Sequence, residues 1–166
     1  VMSIGKNLVE AAVAEDLEAS WVPSYGPEMR GGTANCTVII SDERIGAPLV
    51  ESPSEVIAMN RAALAKFESR VAPGGTVFVN SSIIPDKVSR TDVTAVYVPC
   101  DEMAAELGNS KVANMVMLGA YVAATGALKQ ETIETMIAEM FTGKKAKLVP
   151  LNLEALHKGM ECGKPA

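Results

Sequence analysis

The sequence has 166 residues, of which 48% are apolar and 21% charged, as is typical of one globular domain with its own core. The formal charge of −5 and the isoelectric point near 5.0 argue against a nucleic acid partner, because binding to phosphates needs a basic surface. Three cysteines without paired spacing predict neither a metal site nor an iron–sulfur cluster held by this chain alone, and without a secretory signal they indicate a cytoplasmic protein.

The first segment predicts an amphipathic helix over residues 3–18, because its apolar residues recur at helical spacing. The helical pattern starts almost at Val1, without a strand or a helix cap ahead of it. We therefore expect further residues upstream of Val1 in the natural protein. Residues 19–23 then predict a short strand.

The stretch after this strand, Ser24–Gly32, contains three glycines, a proline, a carboxylate and a guanidinium. Such a composition predicts a shaped loop, in which Arg30 can present its planar fork to a phosphate or carboxylate and Tyr25 can stack or form a hydrogen bond. Alternatively, Arg30 only pairs with Glu28 or a neighbouring carboxylate while the glycines turn the chain. The candidate site residues of this loop are Ser24, Tyr25, Gly26, Glu28, Arg30, Gly31 and Gly32.

The middle of the chain alternates between apolar strands and a helix. Residues 33–41 predict a strand, and the polar turn at residues 42–44 predicts a hairpin that leads into Ile45. Near-continuous apolar runs then predict buried strands at residues 55–59 and 76–80, separated by a helix that Asn60 caps. The order strand, helix, strand is typical of a parallel sheet in an α/β fold.

The last part of the chain is mostly helical. After a surface excursion and one more strand, we predict a short helix that opens with Asp101 and Glu102 and ends at Gly108. The uncharged run from Val112 is a little short for a membrane span and predicts a buried helix, either central or covered by a partner. The remaining predicted elements are the surface excursion 81–92, the strand 94–99, the helices 61–70, 112–125, 131–141 and 153–160, and a solvated C-terminal turn at Lys144, Lys145 and Lys147. Together they predict a single domain over residues 1–166, a three-layer α/β/α sandwich with a mostly parallel (mixed) sheet.

The sequence offers no self-sufficient active site, and we predict no catalytic residue. The single histidine, His157, lacks placeable partners and is interpreted as a surface side chain. Asn114 is a second candidate site residue, because it stands in an otherwise apolar helix. It either forms a hydrogen bond with a backbone group in the core or points into a shared pocket.

Several motifs of the chain resemble those of one family. They are Pro-Ser-Tyr-Gly-Pro-Glu-Met-Arg-Gly-Gly at 23–32, Val-Ile-Ile-Ser-Asp at 38–42, Val-Ile-Ala-Met-Asn at 56–60, Pro-Gly-Gly at 73–75 and Asn-Ser-Lys-Val-Ala-Asn-Met-Val-Met-Leu-Gly at 109–119. These motifs resemble the gamma subunit of 2-oxoacid:ferredoxin oxidoreductases. The resemblance runs in register from Val1 almost to the C-terminus. The last motif is somewhat closer to the 2-oxoglutarate and branched-chain enzymes than to the pyruvate enzymes.

The resemblance implies a multi-subunit enzyme that oxidatively decarboxylates a 2-oxo acid with coenzyme A to an acyl-CoA, or runs the reverse reaction. It implies that the thiamine diphosphate and magnesium belong to alpha and beta subunits, and the iron–sulfur clusters to beta and a ferredoxin-like delta subunit. Ferredoxin would accept the electrons, and this chain would bind no cofactor alone. The gamma subunit would border the region where coenzyme A reaches the thiamine site, with Ser24–Gly32 and Asn114 as the proximal residues.

This sequence departs from the family pattern at its start. The family begins with a strand and a Gly-Gly-Gln-Gly loop, whereas this sequence starts inside the helix that follows them. We therefore expect the domain to lack its first strand and Gly-rich loop. Two other readings stay open: a free-standing nucleotide-binding protein with a Rossmann-like fold, and a purely structural subunit in which Arg30 only braces its loop.

Overall fold

A computed structural model describes residues 2–24, 35–46 and 50–163 of the chain. The strands are β1 (Glu18–Ser24), β2 (Asn35–Ser41), β3 (Glu55–Ala58), β4 (Thr76–Asn80) and β5 (Thr94–Val98). The helices are α1 (Met2–Ala14), α2 (Arg61–Phe67), α3 (Cys100–Glu106), α4 (Ala113–Thr125), α5 (Gln130–Met140) and α6 (Val149–Gly163). Short 3-10 helices cover Glu68–Arg70, Ser110–Val112 and Gly143–Leu148.

Strands β3, β4 and β5 form a parallel sheet in that order, as the alternation of strands and helix predicted. Its residues alternate between two cores: Val77 and Val79 pack in one cluster with Leu64 of α2, whereas Phe78 between them packs in the other. The ring of Phe78 lies 5.6 Å from that of Tyr121 on α4. Helices therefore cover both faces of the sheet, and the predicted α/β fold class is confirmed.

Strands β1 and β2 form a separate antiparallel pair, in which Glu18 lies opposite Ser41 and Ser24 opposite Asn35. The predicted hairpin between residues 33–41 and Ile45 is wrong, because the partner of β2 is the strand before it. After β2, the hydroxyl of Ser41 accepts a hydrogen bond from the backbone N–H of Glu43 at 3.0 Å, which turns the chain. The described strands thus form two sheets, the parallel β3–β4–β5 and the antiparallel β1–β2.

Helices α4 and α6 form the most closely packed contact in the described part of the chain. A Cβ atom added to Gly119 would lie 2.1 Å from the carbonyl oxygen of Leu156, and one added to Gly159 would lie 1.8 Å from that of Val116. Only glycine permits such a close approach of two backbones. The helix from Val112, predicted to be central or covered by a partner, is therefore covered by a helix of its own chain.

The start of α6 differs from the prediction. The helix begins at Val149 rather than at residue 153, because Pro150 is tolerated in the first turn of a helix. Lys144, Lys145 and Lys147 do not form the C-terminal turn of α5, which ends at Met140; they lie in the exposed 3-10 helix ahead of α6. No helix in the described residues combines the length and the apolar character that crossing a membrane requires.

Candidate functional site

The β1–β2 pair fixes the two ends of the candidate loop. Because Ser24 and Asn35 face each other as the last pair of the ladder, residues 25–34 must leave from and return to this end of the hairpin. The structure describes the backbone of Ser24 at the end of β1. The other candidates in the loop lie outside the described residues, and their roles stay predictions: Tyr25, Gly26, Glu28, Arg30, Gly31 and Gly32.

A cleft of about 790 Å³ starts at this end of the hairpin. Its two long walls are residues 35–42, which include all of β2, and residues 52–57, which lead into β3. Helix α1 contributes Ile4 and Leu8 on one side, and α2 contributes Phe67. The cleft thus lies between the hairpin and the edge of the parallel sheet.

The direction of α1 relates the loop to the rest of the fold. Near the start of α1, Gly5 packs on β2, where an added Cβ would lie 2.5 Å from the sulfur of Cys36. Directly after the end of α1, a carboxylate oxygen of Glu15 accepts a hydrogen bond from the backbone N–H of Lys129 at 2.9 Å. The helix therefore runs from the loop end of the hairpin to the opposite end, where the chain leaves α4.

The parallel strands run towards the loop end. Glu55 at the start of β3 lines the same cleft as Tyr121 and Thr125 in the second half of α4. Burial and, to a smaller extent, the carboxylate of Glu55 raise the pKa of Tyr121 to about 12. The beginning of β3 thus lies away from Ser24 and Asn35, and the carboxyl ends of β3, β4 and β5 point to the end of the fold at which β1 ends and β2 begins. In open α/β sheets this is the edge at which ligands bind.

A hydrogen-bonded network lies at this edge, where β4 and β5 end. The side chain of Asn80 is 1% exposed and donates to a carboxylate oxygen of Asp101 at 2.8 Å. The hydroxyl of Ser82 accepts hydrogen bonds from the backbone N–H groups of Asp101 and Glu102, both at 3.1 Å. Because these groups already form hydrogen bonds within the network, we assign them a structural role at the edge of the sheet. Asn80 was not among the sequence candidates, although a polar residue directly after a buried apolar run is a usable signal.

Asn114, the second sequence candidate, lies in the first turn of α4 between the buried residues Ala113 and Met115. Its side chain is half-buried, and within the described residues it forms no hydrogen bond that would tie it to the core. The described part of the chain thus shows no hydrogen-bond partner for Asn114. Its proximity to a ligand therefore stays a prediction.

The three cysteines do not form a reactive or metal-binding centre in the described part of the chain. All three are free: Cys36 lies on β2, Cys100 at the start of α3 and Cys162 on α6. Burial raises the pKa of each thiol, that of Cys100 to about 12, which disfavours the nucleophilic thiolate. Within residues 2–24, 35–46 and 50–163, no three His, Cys, Asp or Glu side chains are grouped to hold a metal ion.

The single histidine is exposed, as predicted. Its Nε2 atom lies 2.6 Å from a carboxylate oxygen of Glu134 on α5, and the two side chains join α5 to α6. Hydrogen bonds from His157 and Gln130 hold the pKa of Glu134 below its ordinary value. Among the described residues, neither His157 nor Glu134 lines the cleft beside the candidate loop.

Comparisons with curated proteins identify relatives of this chain. Ketoisovalerate oxidoreductase subunit VorA of Methanothermobacter thermautotrophicus is 40% identical over 163 residues, which are 97% of this chain and 33% of VorA. 2-Oxoglutarate synthase subunit KorC of Methanocaldococcus jannaschii is 36% identical over 157 residues, which are 93% of this chain and 82% of KorC. The chain therefore spans about a third of the length of VorA but most of the length of KorC.

Solved structures share the fold. The gamma subunit of a keto/oxoacid ferredoxin oxidoreductase from Geobacter sulfurreducens superposes with a TM-score of 0.82 at 28% identity, covering 98% of this chain and 90% of that one. A 2-oxoglutarate:ferredoxin oxidoreductase from Magnetococcus marinus superposes with a TM-score of 0.86 at 24% identity, covering 97% of this chain and 28% of that one. Residues 1–162 match the family described as pyruvate ferredoxin/flavodoxin oxidoreductase, and the chain belongs to that family.

Proposed function

We propose that this chain is the gamma subunit, or the gamma portion, of a 2-oxoacid:ferredoxin oxidoreductase. The assembled enzyme would convert a 2-oxo acid and coenzyme A into an acyl-CoA and carbon dioxide and pass the electrons to ferredoxin. The observation that carries this proposal is the relationship to KorC, which this chain matches at 36% identity over most of both sequences. The relatives VorA and KorC favour ketoisovalerate or 2-oxoglutarate as the class of substrate, in agreement with the motif at residues 109–119.

The three cysteines of this chain and the residues that the structure describes do not fit the cofactors of the reaction. An iron–sulfur cluster is usually held by four thiolates, and this chain has three cysteines, which lie on β2, α3 and α6. The described residues also lack a group of carboxylates for magnesium. We therefore assign thiamine diphosphate, magnesium and the clusters to alpha, beta and delta subunits. This chain would contribute to the assembly of the enzyme and, through its loop, to the coenzyme A site.

The contribution of the loop is to hold an anionic part of coenzyme A. Residues 25–34 join the hairpin at the edge where the parallel strands end, the usual position of a ligand site in this fold class. Arg30 would donate a forked pair of hydrogen bonds to a phosphate, and Gly31 and Gly32 would let backbone N–H groups approach it. Tyr25 would stack on an aromatic ring of the ligand, and Asn114 would supply a further hydrogen bond.

The experiment is an assembly and activity test. The chain is purified together with the subunits encoded beside it, and the reduction of a viologen dye by 2-oxo acids is measured with and without coenzyme A. We expect one stable complex whose coenzyme A-dependent activity falls to background when this chain is left out. A complex that assembles and turns over equally well without the chain would contradict the proposal.

A second measurement distinguishes a subunit of an oxidoreductase from a free-standing nucleotide-binding protein. The purified chain is titrated by calorimetry with NAD, FAD and coenzyme A. As a subunit it should bind neither dinucleotide tightly, because its candidate loop would form a complete site only against the other subunits. Micromolar or tighter binding of a dinucleotide would indicate a free-standing nucleotide-binding protein instead.

A further inference from the structure

A groove of about 670 Å³ lies between α1 and α5, apart from the cleft beside the candidate loop. Helix α1 contributes Glu10 and Ala14 to its walls. Helix α5 buries Ile133 and Ile137 in the core and turns other side chains to the groove. These side chains are Glu131, Thr132, Thr135, Met136, Glu139 and Met140. The groove thus combines apolar and acidic residues on two helices.

Apolar side chains are exposed at this groove. Met140 in its wall is 38% exposed, and Val13, which precedes Ala14 on α1, is 59% exposed. Met136, one turn before Met140 on α5, is half-buried. Exposed apolar side chains that lie together indicate a surface that binds another protein, and methionine adapts to the shape of its partner. The groove therefore offers a partner an apolar centre.

Three exposed glutamates give the groove its charge: Glu10, Glu131 and Glu139. No Lys or Arg is among the described residues that line the groove. Within the part of the chain that the structure describes, the three carboxylates form neither an ion pair nor a hydrogen bond. The groove therefore fits a partner that combines apolar side chains with positive charge.

The chain itself carries a segment of this chemistry, the 3-10 helix Gly143–Leu148 with the sequence Gly-Lys-Lys-Ala-Lys-Leu. Lys144, Lys145 and Lys147 are exposed, and so is Ala146 between two of them. Among the described residues, none of the three ammonium groups has an ion-pair partner. Three lysines beside apolar residues thus complement three glutamates beside apolar residues.

The position of this segment favours a contact between two copies of the chain. Met140 ends α5 and lines the groove, and Gly143 follows after two residues with a φ of 61°, a left-handed conformation that turns the chain. The two complementary patches therefore adjoin, although no described ion pair joins them within one copy. In a twofold contact, each patch of one copy meets the other patch of the second copy.

We propose that the groove between α1 and α5 binds the segment Gly143–Leu148 of a second copy of this chain, in a reciprocal twofold contact. The three lysines of each copy then face the three glutamates of the other, and Val13 and Met140 are covered. The groove lies along the second half of α1, away from Ser24 and Asn35, so the contact leaves that end of the hairpin free. The proposal is independent of the proposed enzymatic activity, because it rests on two surfaces of this chain.

Charge reversal tests this contact, with the mass of the full-length protein in solution measured by analytical ultracentrifugation. The groove variant carries Glu10→Lys, Glu131→Lys and Glu139→Lys, and the segment variant carries Lys144→Glu, Lys145→Glu and Lys147→Glu. We expect a dimer for the unchanged protein and a monomer for each variant alone, because like charges then face each other. A mixture of the two variants should form a dimer again, since the groove of each is then opposite in charge to the segment of the other.

Two controls separate the contact from an effect of net charge. A variant with all six substitutions keeps the formal charge of this chain at −5 and should form a dimer with itself. A variant in which three exposed glutamates outside the groove are changed to Lys has the same net charge as the groove variant and should also remain a dimer; these are Glu43, Glu51 and Glu154. Raising the salt concentration from about 0.1 M to about 1 M should weaken the unchanged dimer about tenfold or more, because the screening length falls from about 10 Å to about 3 Å.

Three results would overturn the proposal. They are a monomeric unchanged protein, a dimer that persists in both charge-reversed variants, and a mixture of the two variants that stays monomeric. If the unchanged protein is a monomer and the groove variant no longer binds another subunit of the enzyme, that subunit occupies the groove instead of a second copy.

Discussion

The two halves of this molecule differ in how completely they are packed. On one side, α4 and α6 approach so closely that glycine is required at Gly119, Gly159 and Gly163, where an added Cβ would lie about 2 Å from a backbone oxygen of the other helix. On the other side, a cleft of about 790 Å³ separates the hairpin from the parallel sheet. Within the described residues, the first half is closely packed, whereas the second leaves a cleft between β2 and the chain that leads into β3.

This difference indicates where the chain meets other groups. A backbone-to-backbone helix contact leaves no room for a ligand and sets the stability of the domain. The hairpin side combines the carboxyl ends of the parallel strands, the ends of residues 25–34 and an apolar cleft. Substitutions in the first half should therefore change the stability of the domain, and substitutions in the second should change binding.

The largest effect on stability is expected for Gly159→Ala. The added Cβ would lie 1.8 Å from the carbonyl oxygen of Val116, and because both atoms belong to helices, neither can move without separating α4 from α6. The free energy of unfolding should fall by about 3 kcal/mol despite the better helix propensity of alanine. Urea unfolding measures this loss. Gly46→Ala, with nothing within 4 Å of the added atom, is the control and should change little.

Asn80→Ala should have the next largest effect. The side chain is buried and joins β4 to Asp101 at the start of α3, and its loss leaves the backbone N–H of Ser82 without this acceptor. We expect the free energy of unfolding to fall by about 2 kcal/mol, again measured with urea. Asn7→Ala removes the same side chain from α1, where it forms no hydrogen bond within the described residues, and serves as the control. Equal losses in both variants would contradict this role of Asn80.

Gly5→Ala tests whether the hairpin side is as rigid as the helix pair. The added Cβ would lie 2.5 Å from the sulfur of Cys36, but this sulfur is part of a side chain that borders a cleft and can rotate into it. We therefore expect a change within about 1 kcal/mol, since the helix propensity of alanine offsets the remaining strain. A loss as large as that of Gly159→Ala would show that the two halves do not differ in this way.

The smallest effect concerns the pH dependence of the contact between α5 and α6. Because the folded pKa of Glu134 is lowered, its stabilising contribution is present above the ordinary pKa of 4.5 and is lost as the pH falls through the folded pKa. Glu134→Gln should cost about 0.5 kcal/mol near neutral pH, as for exposed ion pairs in general, and progressively less as the pH falls from neutral through the folded pKa of Glu134. A cost that is constant over this range, measured by urea unfolding, would contradict the ionic role of Glu134.

Most elements of the fold could be predicted from local patterns. The strand at residues 76–80, the strand predicted at 94–99 and observed at 94–98, and the Asn60 cap were predicted because each depends on a few neighbouring residues. The side chain of Asn60 accepts a hydrogen bond from the backbone N–H of Ala63 at 2.8 Å. The partner of β2 could not be predicted, because a polar turn at Asp42 fits a hairpin as well as a simple bend. Pairing depends on which distant strand is available, and periodicity carries no information about it.

The candidate site was only partly predictable, for a related reason. The composition of Ser24–Gly32 identified a loop and its possible ligand chemistry, and the β1–β2 ladder then fixed where that loop starts and ends. The cleft could not be predicted, because its walls come from β2 and from the chain before β3, which are distant in sequence from α1 and α4. Asn80 was missed because its partner, Asp101, is 21 residues away.

The central claim is that residues 25–34 act in the assembled enzyme by holding coenzyme A, and Arg30→Ala tests it most directly. The matched control is Arg44→Ala, which removes the same charge from an exposed position after β2. In the assembled enzyme, Arg30→Ala should raise the KM for coenzyme A about tenfold or more, as expected for a lost charge-assisted hydrogen bond, and leave the KM for the 2-oxo acid unchanged. Arg44→Ala should change neither. An unchanged KM for coenzyme A in the assembled Arg30→Ala enzyme would contradict the account.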